Sequence, residues 1–295
     1  MQATVIHNPG SGSAEELNIP HALSLLGQDG LEVGIRTMSE GDDPSEVARA
    51  AVRAGSRVVI ASGGDGTVSA VAKAVIGQAD VSLGILPNGT ANSIAAQLKL
   101  PTDTAEACAV IRGGKTRQID TARVNDHPMV LLATIGVHAD AVTEANPDHK
   151  RLFGPVAYVI SEAQQLVSHP LFDVSVEVNG EWFSSQVSAL TVANMAPPFN
   201  LLAHGHQETF DDDGLLDVTL ISLAGAGEAV ATTLHLAYQV VAGLPADRDN
   251  IGFFRTSSLR IETSEAQRVM VDGDCCGETP IQIECLPRSL RVITP

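Results

Sequence analysis

Aromatic residues are scarce in this chain: 3% of 295 residues, with one tryptophan and two tyrosines. A core must therefore be built from Ala, Val, Leu and Ile, for which an apolar fraction of 44% leaves ample material. Basic charge is equally thin. Eighteen Lys and Arg, only four of them lysine, stand against 35 Asp and Glu, for a formal charge of −17. Nucleic acid is bound chiefly through a basic face, so general nucleic-acid binding is excluded. The same deficit gives no attraction to an anionic membrane surface. No apolar run approaches the ~18 residues of a membrane span. Met1-Gln2-Ala3 leads straight into a strand pattern, without the basic region of a signal peptide. Cys275 and Cys276 are adjacent, Cys108 and Cys285 stand alone, and no zinc spacing occurs. The expectation is reduced thiols in a cytoplasmic protein.

What is present is organised around residues 58–98. Val58-Val59-Ile60-Ala61 reads as a strand, Ser62-Gly63-Gly64-Asp65-Gly66-Thr67 as a glycine turn, and the residues to Ile76 as a helix. Ser82 to Leu86 repeats the strand, Pro87-Asn88-Gly89-Thr90-Ala91-Asn92 repeats the turn, and a helix follows to about Leu98. Glycines in such turns let backbone N–H groups approach a ligand, and the helix behind each turn aims its positive end there. Two such turns on adjacent parallel strands predict an anion cradle at the carboxyl edge of a sheet, where open α/β folds bind ligands. The expected occupant is a phosphate chain. Neither turn contains lysine, and Gly-x-x-x-x-Gly-Lys-[Ser/Thr] is absent, so this is not a P-loop. Nor does the first turn match Gly-x-Gly-x-x-Gly followed by an acid. A third turn, Asn8-Pro9-Gly10-Ser11-Gly12, follows the strand Ala3–His7 and suits another wall of the same site. An acidic chain that binds a nucleotide needs a cation there, which implies a divalent metal.

Helix patterns at Glu15–Leu26, Asp42–Ala54 and Thr102–Arg112 alternate with strands, including Leu31–Thr37. This alternation marks a doubly wound parallel sheet. From Arg117 the pattern changes. Strands are expected at Gln118–Val124, Val130–Ile135, Phe172–Val178, Trp182–Ala193, Leu215–Ser222, Ser258–Thr263, Val269–Asp272 and Ile281–Glu284, and again over Ser289–Thr294. Asn179-Gly180 between two alternating runs predicts a hairpin. Pro155–Val167 and Gly227–Val241 read as helices packed on a sheet, each with an apolar face. A domain boundary near Asp120 is expected, with a β-sandwich-like domain after it.

Taken together, Asn8-Pro9-Gly10-Ser11-Gly12, Gly63-Gly64-Asp65-Gly66-Thr67, Leu83-Gly84-Ile85-Leu86-Pro87-Asn88-Gly89-Thr90-Ala91-Asn92, Gly154-Pro155-Val156-Ala157-Tyr158, Asp212-Asp213-Gly214-Leu215-Leu216-Asp217 and Val271-Asp272-Gly273-Asp274 resemble the diacylglycerol kinase catalytic-domain family. The likeness is to the bacterial soluble lipid kinases, diacylglycerol kinase and YegS-like. It runs from residue 8 to residue 274. NAD kinases and sphingosine kinases share the Gly-Gly-Asp-Gly core.

The resemblance implies a two-domain lipid kinase. An ATP-binding domain would comprise residues 1–120, with about 287–295 returning to it, and a lipid-substrate domain residues 121–286. ATP with Mg²⁺ would be held by Asn8, Thr37, Ser62, Gly63, Gly64, Asp65, Gly66, Thr67, Val68, Gly89, Thr90 and Asn92. Asp272 would accept the proton of the lipid hydroxyl, and a structural magnesium would sit on Asp213 with the carbonyls of Phe210 and Leu215. The lipid substrate, diacylglycerol or a related hydroxyl lipid, would be met by peripheral contact at the inner face of the membrane. A homodimer is compatible with this arrangement.

The residues by themselves leave plainer readings beside these. Asp65 either joins Asp272 in the chemistry by holding a metal, or caps the helix behind it. Asp272-Gly273 alone would be a hairpin turn. Asp211-Asp212-Asp213 alone would be a solvated turn. His204 and His206 have no third ligand nearby and read as loop residues. Asp274 replaces the glutamate usual in the family, and Ser93 stands where many relatives carry an acid. Two rivals differ in class. An NAD kinase would need an Asn-Glu pair that is absent after the second turn, and a silent nucleotide or lipid sensor is opposed by the intact Asp65, Thr67, Thr90 and Asp272.

Overall fold

The computed structural model describes residues 1–11, 18–136, 171–196, 211–223 and 249–295, together with Thr232 and His235. The expected helix at 155–167, most of that at 227–241, the motif at 154–158, and Gly12, His204, His206 and Phe210 lie outside the described residues. The chain divides into two compact units, Met1–Thr121 with Leu286–Pro295, and Ala122–Cys285.

In the first unit β1 (Gln2–His7), β2 (Glu32–Thr37), β3 (Val58–Gly63) and β4 (Ser82–Pro87) form a parallel sheet in the order β2-β1-β3-β4. Central β3 is buried at every position, as expected where both faces are covered. Helices α1 (Ile19–Leu26), α2 (Pro44–Arg53), α3 (Asp65–Val75), α4 (Ser93–Gln97) and α5 (Thr104–Gly113) connect the strands. Ala22 and Leu26 of α1 and Ala107, Cys108 and Ile111 of α5 pack with Val5, Ile60 and Leu86 of the sheet. Helices α2 and α3 pack on each other and against β1 and β3. Local signals set the helix ends. Asp43 caps α2 by accepting from Ser45 N, with Pro44 next, and Gly114 ends α5 at φ 62°. The last residues of the chain join this sheet, with Val292 opposite Leu83. Arg288 N donates to the buried Asp120 Oδ1 at 2.7 Å, so the returning segment is pinned to the strand that leaves the unit.

The second unit is built from antiparallel strands. They are the end of β5 (Thr116–Val124), β6 (His127–Met129), β7 (Leu132–Ile135), β8 (Phe172–Val178), β9 (Glu181–Val187), β10 (Ala189–Ala193), β11 (Leu216–Ile221), β12 (Ile251–Thr256), β13 (Ser258–Thr263), β14 (Arg268–Val271), β15 (Asp274–Glu278) and the start of β16 (Ile281–Ile293). One sheet runs β12-β11-β10-β7-β14-β15, and the other brings β16, β13, β8 and β9 together. Val174, Val176, Leu259, Ile261 and Ile283 from the one meet Ile135, Leu190, Val192, Val218 and Val269 from the other in a single apolar core. That is a sandwich.

Three departures from the sequence reading have physical causes. The run Trp182–Ala193 breaks at buried Ser188, because β9 pairs with β8 while β10 pairs with β7 and β11. Strands β12 and β15 were not expected. β12 lacks a clean alternation of buried and exposed residues, and β15 is short and mostly exposed. The Asn179-Gly180 hairpin forms as expected, with φ of 53° and 83°.

Candidate functional site

Four strand ends of the first unit lie in register at one edge of its sheet. His7 stands opposite both Thr37 and Ser62, and Gly63 stands opposite Pro87. The turns that follow β1, β3 and β4 therefore emerge side by side, and hydrogen bonds lock them. Asn8 N donates to Ser62 O and Asn88 N to Gly63 O, each at 3.0 Å. His7 Nδ1 lies 3.1 Å from Ser62 Oγ, and Asn8 Nδ2 donates to Thr67 Oγ1 at 3.0 Å. Asn8 Oδ1 also accepts from Gly10 N, which folds the turn after β1 back on itself.

The turns after β3 and β4 meet backbone to backbone. A Cβ at Gly89 would lie 2.5 Å from Gly64 Cα and 3.0 Å from Asn92 Oδ1. Asn92, left-handed at φ 49°, closes its own turn. Its Oδ1 accepts from Gly89 N at 2.8 Å, and its Nδ2 donates to Gly89 O at 2.9 Å. Asp65 does not cap α3, whose N-cap is Gly64 and has no side-chain cap bond. Instead Asp65 Oδ1 accepts from Ile94 N at 3.3 Å, which ties the start of α3 to the start of α4. Gly66 is different again. A Cβ there would meet nothing within 4 Å. Alanine favours a helix over glycine by about 1 kcal/mol, so packing gives no reason for glycine at this exposed first-turn position.

The expected cofactor residues thus differ in what they can offer a ligand. Ser62, Gly63, Thr67 and Val68 are buried and hold the turns in shape. Asn8 and Asn92 spend side-chain groups on the turns themselves. Thr37, Gly66 and Thr90 are exposed, while Gly64, Asp65 and Gly89 are half-buried at the mouth. Backbone N–H groups at the start of α3, with the positive end of its dipole, suit an anion. Asp65 is the one carboxylate in the three turns. A hard oxygen ligand beside such a cradle fits a magnesium ion accompanying a polyphosphate.

In the second unit Asp272 and Gly273 form a two-residue hairpin turn between β14 and β15, with φ of 52° and 94° and Val271 opposite Asp274. The plain reading of this dipeptide is therefore correct, and the turn also aims the side chain. The Asp272 carboxylate accepts three backbone N–H groups, from Val130 at 2.9 Å, Leu131 at 2.8 Å and Leu132 at 3.1 Å. Asp272 N in turn donates to Leu132 O. Asn194, which the sequence reading overlooked, holds the same segment from another side: its Nδ2 donates to Val130 O at 2.9 Å, and its N–H donates to Leu131 O. The available signal was an asparagine closing the apolar run Leu190–Ala193. Asp274 is exposed.

Asp213 faces an arginine. Arg255, on the unexpected strand β12, donates from Nη2 to Asp213 Oδ2 at 2.6 Å and from Nε to Asp217 Oδ1 at 2.8 Å. Burial pulls the guanidinium pKa down, but its bonds to Asp213 and Asp217 outweigh that and raise it above the ordinary arginine value. Leu215 N donates to the other Asp213 oxygen at 3.0 Å.

Comparison with known proteins places these units. The family model described as Diacylglycerol kinase catalytic domain matches residues 2–124. The model described as YegS C-terminal NAD kinase beta sandwich-like domain matches residues 132–294. An uncharacterized protein of Synechocystis sp. is 38% identical over 241 residues, 82% of this chain and 55% of that protein. The chain thus spans about half the length of that relative. A diacylglycerol kinase of Staphylococcus saprophyticus is 28% identical over 301 residues, covering 100% of this chain and 95% of its own. The crystal structure of a diacylglycerol kinase from Bacillus anthracis superposes with a TM-score of 0.74 at 19% identity, over 100% of this chain and 97% of that one. At that identity the likeness concerns the fold.

Proposed function

The chain belongs to the diacylglycerol kinase catalytic-domain family, and we propose that it is an ATP-dependent lipid kinase, transferring the γ-phosphate of ATP to the hydroxyl of diacylglycerol or a related lipid. The observation that carries the reading is the opening at Gly66, a glycine with no packing reason, beside the Gly64–Gly89 contact. The diacylglycerol kinases among its relatives support the substrate class.

In this reading the three turns bind and orient the polyphosphate. N–H groups at the start of α3 are fixed before the ligand arrives, so they stabilise charge on the transferring group without reorganisation. Thr90 and Thr37, exposed at the same edge, contact the nucleotide. Asp65 would hold a magnesium ion, which when bound would neutralise charge on the phosphates. Asp272 takes the hydroxyl proton of the acceptor lipid. Contact with the membrane that carries the lipid is peripheral in this reading. Among the described residues no helix is long and apolar enough to cross a membrane.

The test is transfer of radiolabelled γ-phosphate from ATP into a mixed-micelle panel of hydroxyl lipids, with NAD as a further acceptor. Label in a lipid supports the reading. Label in NAD alone overturns it, and so does the absence of label when calorimetry shows ATP bound, which would make the protein a sensor.

A further inference from the structure

The family resemblance implied a structural magnesium on Asp213, and the residues present do not fit one. Asp213 Oδ2 carries the Arg255 guanidinium at 2.6 Å, and Asp213 Oδ1 is turned to the N–H of Leu215 at 3.0 Å. Arg255 is set there by strand pairing, directly opposite Asp217 in the β11–β12 register. The Asp217 side chain is only 2% exposed, against 22% for Arg255 and 27% for Asp213. A magnesium ion on Asp213 would either sit beside the guanidinium, against like-charge repulsion, or displace it. Displacement that also drew Nε away from Asp217 would separate the guanidinium from a carboxylate almost withdrawn from water, which is strongly unfavourable.

We propose that Arg255 is the resident cation of this acidic turn. Its guanidinium does what a divalent ion would do there, joining the turn before β11 to the strand, so this turn holds together without a metal. Nε and Nη2 lie in one plane and reach two acceptors at once, which a lysine ammonium does less well. The inference concerns the cation of the turn and holds whatever molecule accepts the phosphoryl group.

The experiment is thermal unfolding of the nucleotide-free protein at matched ionic strength, in EDTA and in millimolar MgCl₂, beside Arg255→Met and Arg255→Lys. The wild-type midpoint is expected to be the same in both buffers. Arg255→Met is expected to melt lower by roughly 6 °C or more, with Arg255→Lys between the two. A wild-type midpoint that falls in EDTA and returns with Mg²⁺ would overturn the proposal, because the turn would then hold an ion. An Arg255→Met midpoint equal to the wild type would overturn it as well. Should Arg255→Met fail to fold, the wild-type arm and Arg255→Lys decide it.

Discussion

Gly64 and Gly89, 25 residues apart in sequence, touch through their backbones, so close that a Cβ on Gly89 would lie 2.5 Å from Gly64 Cα. The neighbour is main chain at the start of a helix and cannot swing aside. Gly89→Ala must therefore push the turn after β4 away from the turn after β3. The expected outcome is a lower melting temperature together with loss of ATP binding by calorimetry. Retained affinity would mean that the two turns do not act as one cradle.

Gly66 predicts the opposite sign for stability. No atom lies within 4 Å of a Cβ built there. Gly66→Ala should melt at the same temperature as the wild type or somewhat higher, since alanine favours the helix by up to about 1 kcal/mol. ATP affinity should nevertheless fall by roughly tenfold or more, because the methyl group enters the space kept for phosphate; tenfold corresponds to about 1.4 kcal/mol. Unchanged affinity would remove the start of α3 from the binding site.

The parts of this protein that could be read from sequence are those in which the signal is local. The strand–glycine turn–helix repeats over 58–98 announced themselves because burial and glycine placement lie within a few residues of each other. Long-range uses of side chains were not visible. One reading had Asp65 capping its own helix, yet it bonds to Ile94 N, because the turn after β4 brings a second helix start alongside. The segment that grips Asp272 lies up to 142 residues away, and only the β7–β14 pairing brings it there. Arg255 was overlooked because β12 was. Gly252 interrupts its apolar run, and its pattern becomes intelligible only once β11 lies beside it.

Asp272 has two tasks in the proposed kinase, and one substitution separates them. Asp272→Asn keeps the side chain's shape and suits a left-handed turn at φ 52°. It replaces one acceptor oxygen with an NH₂ group, so one of the three backbone donors loses its acceptor, at a cost of about 1–3 kcal/mol in stability. Turnover should fall much further, by about 10²- to 10⁴-fold if a general base is lost. The check is kcat measured at a temperature where circular dichroism shows the variant folded, with ATP affinity measured alongside and expected to be unchanged. A loss of kcat no larger than the loss of folded protein would reduce Asp272 to a clamp on residues 130–132.

Cys108 provides a pH dependence whose sign can be worked out. The residue is fully buried in the α1–α5 core, and its thiol donates to Ala22 O at 3.8 Å. Burial raises its pKa above the ordinary 9.0, with Arg112 opposing and Asp103 assisting. The folded state therefore keeps a proton that the unfolded chain gives up as pH rises past that value. Its contribution to stability is complete below about pH 9 and declines above it, by at most ~1.4 kcal/mol per pH unit until the folded thiol itself ionises. Melting temperatures from pH 8 to pH 10 should fall more steeply for the wild type than for Cys108→Ala, which has no thiol to ionise. Parallel slopes would show that the buried thiol is not linked to folding. Labelling gives an independent check, because the thiolate is the reactive form. Exposed Cys275 should react with a maleimide in the native protein, and Cys108 only after denaturation. Native labelling of Cys108 would show that the α1–α5 core opens on the timescale of the reaction.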